Sequence, residues 1–171
     1  MARRRALASG LLALGVLVAA LASAARASEW GLITPGQTTS EAVRGRYGNA
    51  TRVDRQKVDG FDTQSWVYEA AQAPTGVERM TVEFGLKDAS GYRPDVVRDF
   101  KIEPRPGTFN RGIIVSGWGP PDKVGRDNER DIFLYQEGLL VYFDPEGWNA
   151  TLMVFTLPQP ERAEDAAKPK P

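Results

Sequence analysis

The chain has 171 residues, of which 22 are basic and 22 acidic, and it contains neither cysteine nor histidine. Disulfide stapling, histidine general-base catalysis and histidine metal ligation are therefore excluded, along with any serine–histidine–aspartate site. Four of the basic residues and none of the acidic ones fall in residues 1–27, so the remainder carries a net charge of −4, which speaks against nucleic-acid binding with its need for a basic footprint.

Residues 1–27 have the pattern of a secretory signal. Arg3-Arg4-Arg5 precede an apolar stretch from Leu7 to Leu21, and Ala25-Arg26-Ala27 supplies small residues where a signal peptidase reads them. Cleavage before Ser28 is expected, with an uncleaved N-terminal anchor as the alternative. The expected location is periplasmic or secreted. A bacterial lipoprotein would need a cysteine at the cleavage site, which here is Ser28, so any association with the outer membrane would be peripheral, without a lipid anchor.

After a Pro35-Gly36 turn, Thr38 and Glu41 have capping-box spacing, Val43 and Tyr47 lie four apart, and Gly48 can end a helix. A helix of about two to three turns is predicted, too short to stand alone and in need of a sheet. Strands are predicted over 51–58, 63–70, 79–87 and within 94–103. The third is the clearest, with Met80, Val82, Phe84 and Leu86 alternating against Thr81, Glu83 and Gly85.

The order then restarts. Ile114 and Trp118 repeat the four-residue spacing, and Gly119 follows Trp118 as Gly48 follows Tyr47. Gly112 and Gly117 weaken this second helix by about 1 kcal/mol each relative to alanine. Residues 125–130 read as a polar loop. Strands follow over 132–136, 141–143 and 151–156, with Phe133-Leu134-Tyr135 paralleling Trp66-Val67-Tyr68. The fold expected is α+β: two tandem modules, each a short helical segment on an antiparallel sheet of about three to four strands. The divisions are 1–27, 28–104, 105–157 and a disordered tail over 158–171, whose Pro, Ala, Glu, Asp and Lys cannot bury enough surface to order it.

The pattern Gly36-x-Thr38-x-x-x-x-Val43-x-x-x-Tyr47-Gly48, followed by Trp66-x-Tyr68, resembles the BamE (SmpA/OmlA) family of small outer-membrane lipoproteins. It is also similar to the tandem-repeat β-lactamase inhibitor proteins. Trp118-Gly119-x-Pro121 and Tyr135 match more loosely; Ala50 stands where the family has proline, and the lipidated cysteine is missing. The resemblance implies an exported, non-catalytic protein-binding protein of envelope assembly or maintenance. Its protein partner would belong to the outer-membrane assembly machinery. The alternative implied is an exported inhibitor that covers an enzyme's active site. No cofactor is expected.

The chemistry-bearing groups point the same way. Asp59 with Asp62, and Glu129 with Asp131, sit in polar loops rather than in a cleft. Asp122, Asp127, Asn128, Glu129 and Asp131 lack the spacing of a calcium loop. Trp30, Tyr92 and Trp148 fall outside the repeated pattern and are freer to be contact residues. Strand alternation places Trp66, Tyr68, Met80, Val82, Phe84, Phe100 and Ile102 toward the first helix. Ser65, Val67, Glu69, Thr81, Glu83, Asp99 and Lys101 then take the other face. In the second half Phe133, Tyr135, Leu139, Val141, Phe143, Met153 and Phe155 turn inward. The opposite face carries Ile132, Leu134, Leu140, Tyr142, Leu152 and Val154, an apolar patch that calls for a cover. The cover is either a protein partner or something nearer: the Trp30–Ile33 segment, the first half, or a second copy of the chain.

Overall fold

The computed structural model describes residues 29–128 and 130–159. The signal segment, the cleavage site and residues 160–171 of the expected tail lie outside them. Helix α1 (Ser40–Tyr47) starts at Thr39, whose hydroxyl accepts from the N–H of Ala42 at 3.3 Å. The cap is thus one residue later than the sequence spacing implied. The Thr38 hydroxyl is engaged elsewhere, accepting from the N–H of Thr34 at 2.9 Å to close the Pro35-Gly36 turn.

Four strands follow: β1 (Arg52–Val58), β2 (Phe61–Glu69), β3 (Val77–Asp88) and β4 (Gly91–Pro104). A single 3-10 turn (Ala70–Gln72) separates β2 from β3. Helix α2 (Arg111–Trp118) is capped by Asn110, whose side-chain oxygen accepts from the N–H of Ile113 at 3.0 Å. It leads into β5 (Lys123–Asp127), β6 (Arg130–Tyr135), β7 (Leu139–Phe143) and β8 (Ala150–Phe155). The stretch read as a polar loop over 125–130 instead contributes most of β5. Its signal was invisible because an edge strand, half solvated, need not alternate apolar and polar residues.

The expectation of two tandem modules, each with its own sheet, is corrected by the strand pairing. All eight strands form one antiparallel sheet in the order β1-β2-β3-β4-β8-β7-β6-β5. The join is β4 to β8, where Phe100, Lys101 and Ile102 face Phe155, Val154 and Met153. A separate sheet in each half would leave the inner edges of β4 and β8 with unpaired main-chain groups; pairing them satisfies those groups and closes two edges at once. Across the seam the rings of Phe100 and Phe155 lie parallel, their centroids 4.4 Å apart. The hydrophobic residues of both halves consequently belong to a single cluster, from Trp66, Tyr68 and Phe84 through Phe100 and Phe155 to Phe133 and Phe143.

Two eight-residue helices are all the α-helix the described residues hold, and both lie on this core face through Val43 and Ile114. Neither is long and apolar enough to cross a membrane. Each ends at a glycine with positive φ, Gly48 (76°) and Gly119 (82°). A buried tyrosine hydroxyl donates to each glycine carbonyl: Tyr68 to Gly48 at 3.3 Å and Tyr135 to Gly119 at 3.0 Å. Burial pushes both phenols up to about 12, with the Arg44 charge opposing the shift at Tyr68 and Asp122 adding to it at Tyr135. The N-terminal segment is strapped to the same side: the N–H of Gly36 bonds the Val97 carbonyl at 2.8 Å, and the N–H of Val97 bonds that of Thr38 at 2.9 Å. Ile33 is buried in the core.

Candidate docking face

With both helices on one side, the other side of the sheet is the open one among the described residues. The pairing registers trace a continuous row across it: Arg52, Val67, Thr81, Lys101, Val154, Leu140, Leu134 and Lys123, one residue from each strand from β1 to β5. A second row in the β5–β8 half aligns Gly125, Ile132, Tyr142 and Leu152. The six residues singled out from alternation, Ile132, Leu134, Leu140, Tyr142, Leu152 and Val154, are therefore brought together on one face. Leu134, Leu140, Tyr142, Leu152 and Val154 are partly exposed. Ile132 is buried, at 8% exposure. None of the six belongs to the core cluster.

The Trp30–Ile33 segment does not cover this patch. It folds back as a tight turn bridged between Trp30 and Ile33, and the Tyr47 hydroxyl donates to the Gly31 carbonyl at 2.6 Å. That contact holds it beside α1, on the core side. The first half does not cover the patch either, because it continues the same sheet edge to edge instead of stacking on it.

The β1–β4 half of the open face is polar and its charges are organised. Arg79 bridges Glu69 (3.1 Å) and Glu103 (3.4 Å), Arg52 pairs with Asp54 (2.8 Å), and the Ser65 hydroxyl donates to Glu83 at 3.1 Å. A register shift, with Glu83 paired to Asp99 and Phe84 to Val97, marks a bulge in β4 at Arg98. The bulge turns Arg98 onto this face, where it pairs with Asp99 (3.0 Å) and lies 3.8 Å from Glu83. Sequence reasoning missed Arg98, since a bulge breaks the alternation on which the face assignment rests. Val67 departs from its polar neighbours and is buried, at 4% exposure. Lys101 is exposed at the centre of the row, while its flanking carboxylates, Asp99 and Glu103, are each held by an arginine.

Of the three aromatics outside the repeated pattern, Trp30 and Tyr92 are held in contacts and Trp148 is exposed. Trp30 packs against the core. The Tyr92 ring lies 4.6 Å from that of Phe61, and its hydroxyl donates to the Asp62 carbonyl. Trp148 is 56% exposed, on a turn organised by the Asp144 carboxylate. Burial opposes the charge on Asp144, but bonds from the main-chain N–H of Trp148 and Asn149 and from the Asn149 amide hold its carboxyl below the usual range. Asp131 pairs with Arg111 and Arg126, and Asp122 accepts from the N–H of Gln136 at 2.7 Å. Among the described residues no group of three or more carboxylates could hold a metal ion. Arg111 itself lies over the rings of Phe133 and Phe143, at 4.8 and 4.6 Å from their centroids.

An apolar patch with one aromatic, bordered by a lysine and by arginine–carboxylate pairs, has the anatomy of a protein contact surface: an apolar centre and a polar rim. No family model matches the chain, and no curated protein matches it significantly. Among solved structures it is similar to a DUF4309 family protein (YjgB) from Bacillus subtilis subsp. subtilis str. 168. The two are 11% identical with a TM-score of 0.46, over 73% of this chain and 82% of that one.

Proposed function

We propose that this is an exported, non-catalytic binding protein of the cell envelope that docks a folded protein partner on its open sheet face. The observation that supports the reading is the patch of Leu134, Leu140, Tyr142, Leu152 and Val154, opposite both helices and outside the core cluster. A large apolar area on one sheet face, rimmed by charge, marks an interaction surface. The envelope setting rests on the secretory pattern of residues 1–27 and on the BamE-like resemblance. An inhibitor would use the same surface, and slowed turnover of a purified hydrolase on adding the chain would favour that role.

The test is to introduce Leu140→Arg and Val154→Arg separately and compare each with the wild type. Both side chains are partly exposed, so an arginine can carry its guanidinium out to water and leave the sheet intact. The expected result is an unchanged circular dichroism spectrum, a melting temperature within a few degrees of wild type, and loss of the partner cross-linked by the wild type in envelope extract. Unfolding of both variants in dilute monomeric protein would mean that the patch is buried within the chain, and the reading would fall.

A further inference from the structure

The sheet ends in two edge strands, and they differ in a way that bears on what can pair with them. An edge strand offers a row of free main-chain donors and acceptors and is a template for another strand unless charge or geometry prevents it. In β5 the sequence is Lys123-Val124-Gly125-Arg126-Asp127, and every residue but Gly125 is exposed, Val124 to 63%. Laid antiparallel against a second copy of itself about a two-fold axis at Gly125, β5 is self-complementary. Lys123 faces the partner's Asp127, Asp127 faces the partner's Lys123, and Gly125 faces Gly125, with no side chain at the axis. Opposite charges directly across an antiparallel pair stabilise it.

The main chain agrees with that register. β5 ends at Asp127 and β6 begins at Arg130, with two residues between them. In such a hairpin the residues flanking the turn form the hydrogen-bonded pair, and the pattern alternates along the strand. Asp127 and Gly125 thus bond inward to β6, and the N–H and C=O of Val124 and Arg126 point outward. About an axis at Gly125, Val124 and the partner's Arg126 are directly opposite, so both outward pairs can close. The two exposed Val124 side chains then lie diagonally across the junction on one face, within reach of each other.

The same operation on β1 fails. Centred on Arg55, it sets Arg55 against Arg55, in a strand that also carries Arg52 and Lys57 against the single acid Asp54. We propose that β5 is a homodimerisation edge, joining two copies into one sixteen-stranded sheet in the Gly125-centred register. The inference is independent of the docking face, although the dimer would present that face twice.

Sedimentation velocity of the purified chain over a concentration series tests it. The expected result is a concentration-dependent monomer–dimer equilibrium, weakened by salt as exposed ion pairs are. Lys123→Asp and Asp127→Lys, each placing like charges opposite one another, should each weaken the dimer by about tenfold or more. The double variant K123D/D127K restores opposite pairs and should recover it. Val124→Pro removes a donor that faces away from β6; it should leave the circular dichroism and melting temperature near wild type and abolish the dimer. A chain that stays monomeric at all concentrations overturns the proposal. So does a dimer indifferent to Val124→Pro, or one dissolved by both single charge variants and not recovered in the double. A dimer dissolved by Leu140→Arg but not by Val124→Pro would place the second copy on the open face instead.

Discussion

The two buried tyrosines each spend their hydroxyl on one acceptor, the carbonyl of the glycine that ends a helix. Tyr68→Phe or Tyr135→Phe would leave that carbonyl without its donor, at a cost of about 1 kcal/mol each, rising if water cannot replace it. Urea denaturation at neutral pH measures this. Their acidity sets a pH dependence with a definite sign. In the folded protein both phenols are raised from 10 to about 12, so the unfolded chain ionises first. The stabilisation is fully present below pH 10 and is lost as pH rises from 10 through about 12. Absorbance at 295 nm should show three tyrosines titrating late, because burial raises Tyr47 as well as Tyr68 and Tyr135, and alkaline unfolding should start earlier in any variant that exposes Tyr68 or Tyr135. A tyrosine titration complete by pH 11 in still-folded protein would contradict this.

At the scale of elements, the turn between β6 and β7 is the least forgiving place in the second half. Gly138 has φ 103°, and a Cβ there would lie 2.3 Å from the Thr156 carbonyl oxygen and 2.9 Å from that of Leu157. The same residue accepts a main-chain bond from Thr156 at 2.7 Å, tying the end of β8 to the turn. The nearest atoms are all backbone of Thr156 and Leu157, which cannot swing away as a side chain can. Gly138→Ala should cost at least about 2 kcal/mol from the strained φ and the clash together. Gly48→Ala is the control: it shares a positive φ but has nothing within 4 Å of the added carbon, so its cost should be smaller, about 1 kcal/mol. Chemical denaturation of the two variants side by side gives the comparison, and equal losses would show that strain alone decides both.

At the scale of the whole molecule, the β4–β8 seam makes the halves one cooperative body. Each has its own helix, but they share a sheet and a core joined by Phe100 and Phe155. Differential scanning calorimetry should show a single transition with equal calorimetric and van't Hoff enthalpies. Phe155→Ala should destabilise the entire chain by about 3–5 kcal/mol, as truncation of a buried aromatic does. Two separated transitions, or a variant that melts only residues after 105, would mean that the halves are independent.

Strand alternation was enough to place Trp66, Tyr68, Met80, Val82 and Phe84 on one face, and Phe133, Tyr135, Val141 and Phe143 likewise, because side-chain period within a strand is local backbone geometry. The same rule assembled the apolar patch of the open face from residues in three strands. Helix positions were legible for a similar reason: short apolar spacing and a following glycine are local signals. What remained hidden was non-local. Strands with similar patterns carry no mark of which neighbour they take, so the union of β4 with β8 into one sheet could not be read from either. The bulge at Arg98 and the strand character of β5 depend on a partner strand for their definition. Whether the patch is open was decided by where the helices, the N-terminal strap and the first half come to rest. That outcome belongs to tertiary packing, since each of those segments is bonded to residues far from it in the chain.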